Sequence, residues 1–368
     1  MEEYRSIFRF FNMGGNKMKK LQKEFEQFNS DIKIDSEAEA LRSKRDKLKK
    51  DVEDKFPDEC KKLGIEITKS DLRFINQGSY KIGTTIVSKS SMDLDYAVIM
   101  PLDIDEHDDP RAIKKAIKNS LLIQSIRLPA IKEPCVTVTY HSYGEETMHI
   151  DFPIYAEHNS CLYLARGKEY SETYSWERAD PEGLNDYFLN KFDGKDQLKR
   201  IVRYIKKWKQ CKYENSTNSH EVPPSVGLTI LACQNYSEFT WGGDDDLSSL
   251  YHTMKAIVDK FFVWKDADGN IISASITCDL PVIPYSDVFY KMRESSSHMI
   301  TFYNRLSRAV ADLREAMNLS DEYEAAKCVR KVLGDEFTLP EKKAAAAVTS
   351  NKKEYNFGNK KGTVSTNS

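Results

Sequence analysis

The sequence predicts an α+β fold, a mixed sheet followed by an α-helical C-terminal domain and preceded by bracing N-terminal helices. Three observations carry this. Apolar and polar residues alternate in three segments between 93 and 154. After about residue 180 the apolar residues recur every three to four positions. Residues 17–56 are highly charged, yet their apolar side chains also fall at helical spacing.

At the N-terminal end, Leu21, Phe25 and Phe28, then Ala38, Leu41, Leu48 and Val52, predict one or two helices that end near Pro57 and Gly64. Asp93 to Met100, Cys135 to Tyr140 and Thr147 to Ile154 then read as strands. Between the first two, Asp109-Pro110-Arg111 opens a helix with a capping acid and proline at its first position. Its apolar residues Ile113, Ala116, Ile117 and Leu121 share a face. Further on, Leu198, Ile201, Val202, Ile205 and Trp208 form one apolar stripe, and Tyr303, Leu306, Val310, Leu313 and Met317 form another. These elements divide the chain into N-terminal helices over 1–65, a core over 66–175, a helical domain over 176–340 and a disordered tail over 341–368.

The 368 residues leave room for two domains, and 55 Lys+Arg against 57 Asp+Glu exclude a broadly basic nucleic-acid coat. No apolar run is long enough to span a membrane, and the N-terminus has no clean apolar stretch of the signal-peptide kind, so a cytoplasmic protein is expected. Seven scattered cysteines, never at CxxC spacing, read as reduced thiols rather than a disulfide framework.

Chemistry concentrates in an ordered set: Gln77-Gly78-Ser79, then Asp93-Leu94-Asp95, then Asp151 within His149-Ile150-Asp151-Phe152. Residues two apart on a strand share a face, so Asp93 and Asp95 present two carboxylates side by side. Asp151 sits on a second alternating strand, and if the two strands are neighbours, three carboxylates converge. Such a group repels itself unless a divalent cation neutralises it. Hard oxygen ligands suit Mg²⁺ or Mn²⁺, and two such ions are the requirement of phosphoryl or nucleotidyl transfer. Gly78 lets backbone approach a phosphate, and Ser79 can donate to its oxygens.

This set resembles the nucleotidyltransferase core of polymerase-β-like enzymes and, within it, the cGAS/DncV-like nucleotidyltransferases (CD-NTases) of bacterial anti-phage signalling. Gln77-Gly78-Ser79-Tyr80 with Met92-Asp93-Leu94-Asp95 matches the family's Q-G-S and D-x-D signatures. His149 to Ala156 resembles its third-carboxylate strand, and Trp176 to Leu184 resembles a segment of the members nearest bacterial cyclic GMP-AMP synthase. The resemblance covers roughly residues 20–340. It implies a polymerase-β-like core with Asp93, Asp95 and Asp151 as catalytic metal ligands, and a cyclic oligonucleotide product made from ATP, GTP or other nucleoside triphosphates. It also implies that Lys206, in Ile205-Lys206-Lys207-Trp208, faces the donor triphosphate, and that Ser225 contacts phosphates. Lys199, Arg203, Lys206 and Gln210 form a polar-basic stripe on one helix, which places Arg203 among the nucleotide-binding candidates; a solvated face is the plain alternative. Ser225 is equally readable as a helix cap.

Other features have ordinary explanations. His149 reads as a hydrogen-bonded neighbour of Asp151, and Tyr80 as either a base-stacking or a packing residue. Asp103, Asp105, Asp108 and Asp109 lack the glycine and terminal glutamate of a calcium loop. Asp244-Asp245-Asp246 reads as a solvated loop. There is no compact His/Cys cluster for a DNA-gripping zinc thumb, which argues against DNA-triggered activation. The resemblance instead implies control by protein partners or small metabolites, and an effector downstream of the product. The runner-up function is a linear oligoadenylate-making or RNA-tailing nucleotidyltransferase, and a non-catalytic binding module comes third.

Overall fold

The computed structural model describes residues 20–34, 38–87, 92–142 and 145–342. Its organising element is the strand β2 (Met92–Pro101). Along one edge β2 pairs antiparallel with β1 (Arg73–Gln77), from Arg73↔Ile99 to Gln77↔Asp95. It also pairs parallel with β5 (Glu145–Phe152) through its first half and with β6 (Ile154–His158) through its second. Only Pro153 separates β5 from β6. It cannot donate to the ladder, but its carbonyl still accepts from Val98 N at 2.9 Å. β4 (Val136–Ser142) flanks β5, and β3 (Ala130–Ile131) flanks β4. On the far side β7 (Cys161–Arg166) flanks β6, and β8 (Ser175–Ala179) closes that edge. The sheet therefore runs four residues beyond the expected boundary at 175.

Alternation along β2 sorts its side chains. Leu94, Tyr96, Val98 and Met100 point into an apolar layer filled by two helices: Leu48, Val52 and Phe56 from one and Ile113, Ile117 and Leu121 from the other. The helices are α1 (Gln22–Ile32), α2 (Ala38–Lys61), the short α3 (Gly78–Lys81) and α4 (Pro110–Leu121); α2 and α4 supply that layer. As the sequence indicates, Asp109 caps α4, its side chain accepting from Arg111 N, with Pro110 at the start. α2 does not stop at Pro57. It continues to Lys61, because its last turn carries Phe56 and Cys60 into the buried layer, and that burial outweighs the interior proline.

The second core is helical. It gathers α5 (Pro181–Phe192), α6 (Asp196–Tyr213), α7 (Ser225–Asn235), α8 (Asp246–Val258), α9 (Ser296–Asn318) and α10 (Glu322–Leu333). α6 is its axis, burying Leu198, Ile201, Val202, Ile205 and Trp208 on the stripe read from the sequence. α1 joins this core rather than the sheet: Phe25 and Phe28 lie 5.3 and 5.9 Å from the Tyr204 ring. The helical half also contains a hairpin, β9 (Phe262–Lys265) and β10 (Ile271–Ser275), which the apolar periodicity does not show. Its turn is held by the Asp266 side chain, which accepts from the backbone N–H groups of Asp268 and Asn270. The acidic loop is not solvated as expected. Asp246 is fully buried, because Gln197, Arg200 and Tyr204 share one face of α6 and all donate to its carboxylate. Most of the expected tail (343–368) and the first 19 residues lie outside the described residues. Among the described residues no helix is long and apolar enough to cross a membrane.

Candidate active site

The parallel register of β2 and β5 sets Asp95 directly beside Asp151 and Asp93 beside His149. Asp93 and Asp95 leave β2 on the face opposite Leu94 and Tyr96, so three carboxylates line one wall. The third is oriented by a residue the motifs do not contain: Thr137, its register partner on β4, donates to Asp151 Oδ1 at 2.5 Å. His149 is hydrogen-bonded to Thr139 through Nδ1 at 3.0 Å.

The wall is sealed by β1 and α3. Gln77 ends β1 opposite Asp95, and Gly78 turns the chain with φ +66°. A side chain at 78 would place its Cβ 2.2 Å from Asp95 Oδ2, so backbone conformation and close approach both demand glycine. Ser79 Oγ accepts from Thr85 Oγ1 at 3.1 Å, and Ser79 O accepts from Thr84 N at 2.9 Å, which ties the turn to the loop that follows. Gln77 itself stays outside the cavity, its Oε1 accepting from Tyr155 Oη at 3.4 Å. Tyr80 packs on the sheet core and accepts from Arg42 Nε at 2.9 Å.

Opposite the carboxylates, α6 contributes two cations and α7 a hydroxyl. Lys206 is buried and donates to Thr84 O at 3.2 Å and Thr84 Oγ1 at 3.0 Å. Lys209, three residues on, donates to Ser225 Oγ at 2.7 Å. Ser225 is the first residue of α7, after Pro224, and makes no capping hydrogen bond. Its hydroxyl faces the lysine instead. Both walls, with Gly78, Ser79 and Lys132, enclose a cavity of about 530 Å³. Arg203 is not in it. It donates to Asn29 Oδ1 at 2.8 Å and Gly83 O at 2.6 Å and lines a neighbouring cavity, as does Lys199.

The two walls shift each other's ionisation. Loss of water around Asp95, then repulsion from Asp151 and Asp93, raises its carboxyl from the ordinary 3.8 to about 7. Asp93 is raised for the same reasons, with Asp151 the chief repelling charge. Burial lowers Lys206 from 10.5 to about 7, helped by Lys209 and Arg203, and burial lowers Lys209 to about 8. A carboxylate pushed up this far by its neighbours signals negative charge without a counter-ion. The donor set, three carboxylates of hard oxygen character, fits divalent Mg²⁺ or Mn²⁺.

Lys209, Lys132 and Thr137 were not singled out by the motifs. Lys209 was findable, since it lies three residues beyond Lys206 on the same helix face. Thr137 and Lys132 enter through strand pairing alone. Of the acids after β2, Asp103 and Asp105 approach His158, with ligand atoms within 4.8 Å of one another. The two ring nitrogens lie 3.6 Å from different carboxylates, and Nε2 is hydrogen-bonded to Asn159 Nδ2 at 2.7 Å. This exposed group sits past the other end of β2, about 26 Å of strand from Asp93.

Residues 72–155 match the family described as cyclic GMP-AMP synthase DncV-like, nucleotidyltransferase domain. That span holds Gly78, Ser79 and all three carboxylates. This segment of the chain is similar to the nucleotidyltransferase domain of that family. A cyclic GMP-AMP synthase of Escherichia albertii is 29% identical over 180 residues, which are 46% of this chain and 38% of that protein. The apo form of Vibrio cholerae DncV superposes with a TM-score of 0.67 at 16% identity, covering 87% of this chain and 96% of the other. The same enzyme with the linear intermediate 5′ pppA(3′,5′)pG gives 0.64 at 15% identity over 86% and 95%. At these identities the structures establish a shared fold, which includes both the mixed sheet and the helical half.

Proposed function

We propose that this protein is a metal-dependent nucleotidyltransferase that joins nucleoside triphosphates into a cyclic oligonucleotide. A purine dinucleotide such as cyclic GMP-AMP, made from ATP and GTP, is the product that best fits. The reading rests on one arrangement: Asp95 beside Asp151, with Asp93 next along, over Gly78 and across a cavity from Lys206 and Lys209. Opposed acidic and basic walls leave room for a layered filling, cations against the carboxylates and phosphates against the lysines. Relatives support the bases, one being a cyclic GMP-AMP synthase and another binding pppA(3′,5′)pG. On this reading the catalytic core is 66–175, and 176–340 completes the nucleotide cleft.

Asp93, Asp95 and Asp151 would hold the metal, two ions being expected, which supplies Lewis-acid activation of a hydroxyl and charge neutralisation at the leaving pyrophosphate. Thr137 keeps Asp151 oriented. Gly78 lets Asp95 lie against the backbone, and Ser79 offers its hydroxyl to a phosphate. Burial lowers Lys206 and Lys209 towards neutrality, and a phosphate beside them would favour their charged forms. Ser225 follows Lys209 and adds a second donor on that side.

The same reading places the product upstream of an effector in anti-phage defence, in the cytoplasm, under the control of regulatory protein partners. The test is incubation of the purified protein with all four nucleoside triphosphates and Mg²⁺ or Mn²⁺, beside Asp93→Asn and Asp95→Asn. Phosphatase-resistant products are then identified by mass spectrometry. A cyclic product from the wild type alone is expected. Linear ladders would replace this reading with the oligoadenylate or tailing enzyme.

A further inference from the structure

Arg203 and Lys199, chosen from the sequence for the nucleotide site, line a different cavity. It holds about 750 Å³, more than the site between the carboxylates and lysines, and lies on the other side of Ile82, which borders both. Four cations reach it from three elements: Lys33 at the end of α1, Lys81 at the end of α3, and Lys199 with Arg203 on α6. Its two acids are Asp193 and Asp196. Asp196 lies 3.6 Å from Lys199 with its side chain 89% exposed, so it offsets the cations only weakly. The exposed Leu189, backed by the buried Phe192 and Ile82, supplies an apolar edge.

Converging cations beside an apolar patch, in a cavity of drug-like volume, suit a phosphorylated molecule with a flat ring. No carboxylate cluster is present there to require a metal. We propose that this cavity is a second ligand site, which takes a nucleotide-sized phosphorylated ring compound without a divalent cation. It shares a wall with the catalytic cavity. Arg203 holds Gly83 O, Lys206 holds Thr84 O, and Thr85 holds Ser79 Oγ, so one short loop is tied to residues of both sites.

The test is calorimetric titration of the full chain with ADP in EDTA, which requires no turnover and so fails independently of the proposed reaction. Saturable binding at one ADP per chain is expected. Lys81→Glu with Lys199→Glu should weaken it at least tenfold, and the neutral pair Lys81→Gln with Lys199→Gln should weaken it less, which covers the case of a charge-reversed protein that does not fold. Lys209→Ala, confined to the catalytic cavity, should change it less than twofold. Hydrogen exchange should slow in 189–199 when ADP is added. Absence of saturable metal-free binding overturns the proposal. So does binding indifferent to the Lys81 and Lys199 changes, or binding lost with Lys209.

Discussion

Two of the places where this protein buries charge treat it in opposite ways. At the start of α8 the fully buried Asp246 receives Arg200 through Nε at 2.7 Å and Nη2 at 2.8 Å. Tyr204 Oη reaches it at 3.0 Å and Gln197 Nε2 at 3.2 Å, while Gln22 accepts from its backbone N–H. Every lone pair there has a partner, and Arg200 is correspondingly held above its ordinary range by Asp246 despite its burial. In the active-site cavity, Asp95 and Lys206 also carry opposite charges, but they attract only at a distance and do not join. Each is pushed towards neutrality, both to about 7. The first arrangement stabilises the fold. The second leaves its charges unmatched, the electrostatic preorganisation that the proposed phosphoryl transfer would need.

The difference can be tested by removing one acid from each place. Asp95→Asn should abolish product formation, a loss of about a thousandfold or more. The same change should leave the melting temperature equal or higher, because it removes a repelled charge. Product mass spectrometry and calorimetry check both halves, and a strongly destabilised Asp95→Asn protein would erase the contrast. Asp246→Ala should do the reverse by removing the buried carboxylate that Arg200, Tyr204 and Gln197 share, which leaves Arg200 only the half-exposed Asp244. About 3–5 kcal/mol of stability is expected to go, read by urea denaturation. Gly78→Ala is smaller and mixed. It should cost about 1–2 kcal/mol from the left-handed backbone, and activity should fall because the new Cβ displaces Asp95.

The finest signal is a pH profile of the ligand-free protein. Asp95, raised from 3.8 to about 7, binds its proton more tightly when folded, so its contribution to stability is lost as pH rises through that window. Lys206, lowered from 10.5 to about 7, releases its proton more readily when folded, so its contribution grows from about 7 towards 10.5. The two slopes meet near neutral pH as a minimum. The urea midpoint of the wild type minus that of Asp95→Asn/Lys206→Met should show this minimum, and a flat difference would mean the two groups are not strained.

Much of the fold was legible because its signals are local. Period-2 alternation marked Asp93 to Met100 as a strand with both carboxylates on one face. Asp109 and Pro110 announced α4, and 3.6-residue periodicity found α6 and α9. Pro57 misled because a breaker rule weighs one residue, whereas the helix end is decided by what Phe56 and Cys60 bury. The acidic triplet misled because three aspartates look solvated until Arg200, 46 residues away, is brought to Asp246.

The sequence by itself determined which chemistry was on offer: three strand-borne carboxylates, a glycine-serine turn and a helix with a basic stripe. Only the tertiary structure decided how they meet. The pairing of β2 with β5 set Asp95 against Asp151 across 55 intervening positions in the chain. The packing of α6 then split one stripe, sending Lys206 and Lys209 to the carboxylates and Arg203 to the adjoining cavity. A helix face spans about 100° of arc and a sheet ladder fixes register to one residue. Neither quantity is written in local periodicity, because both depend on the partner that each element finds.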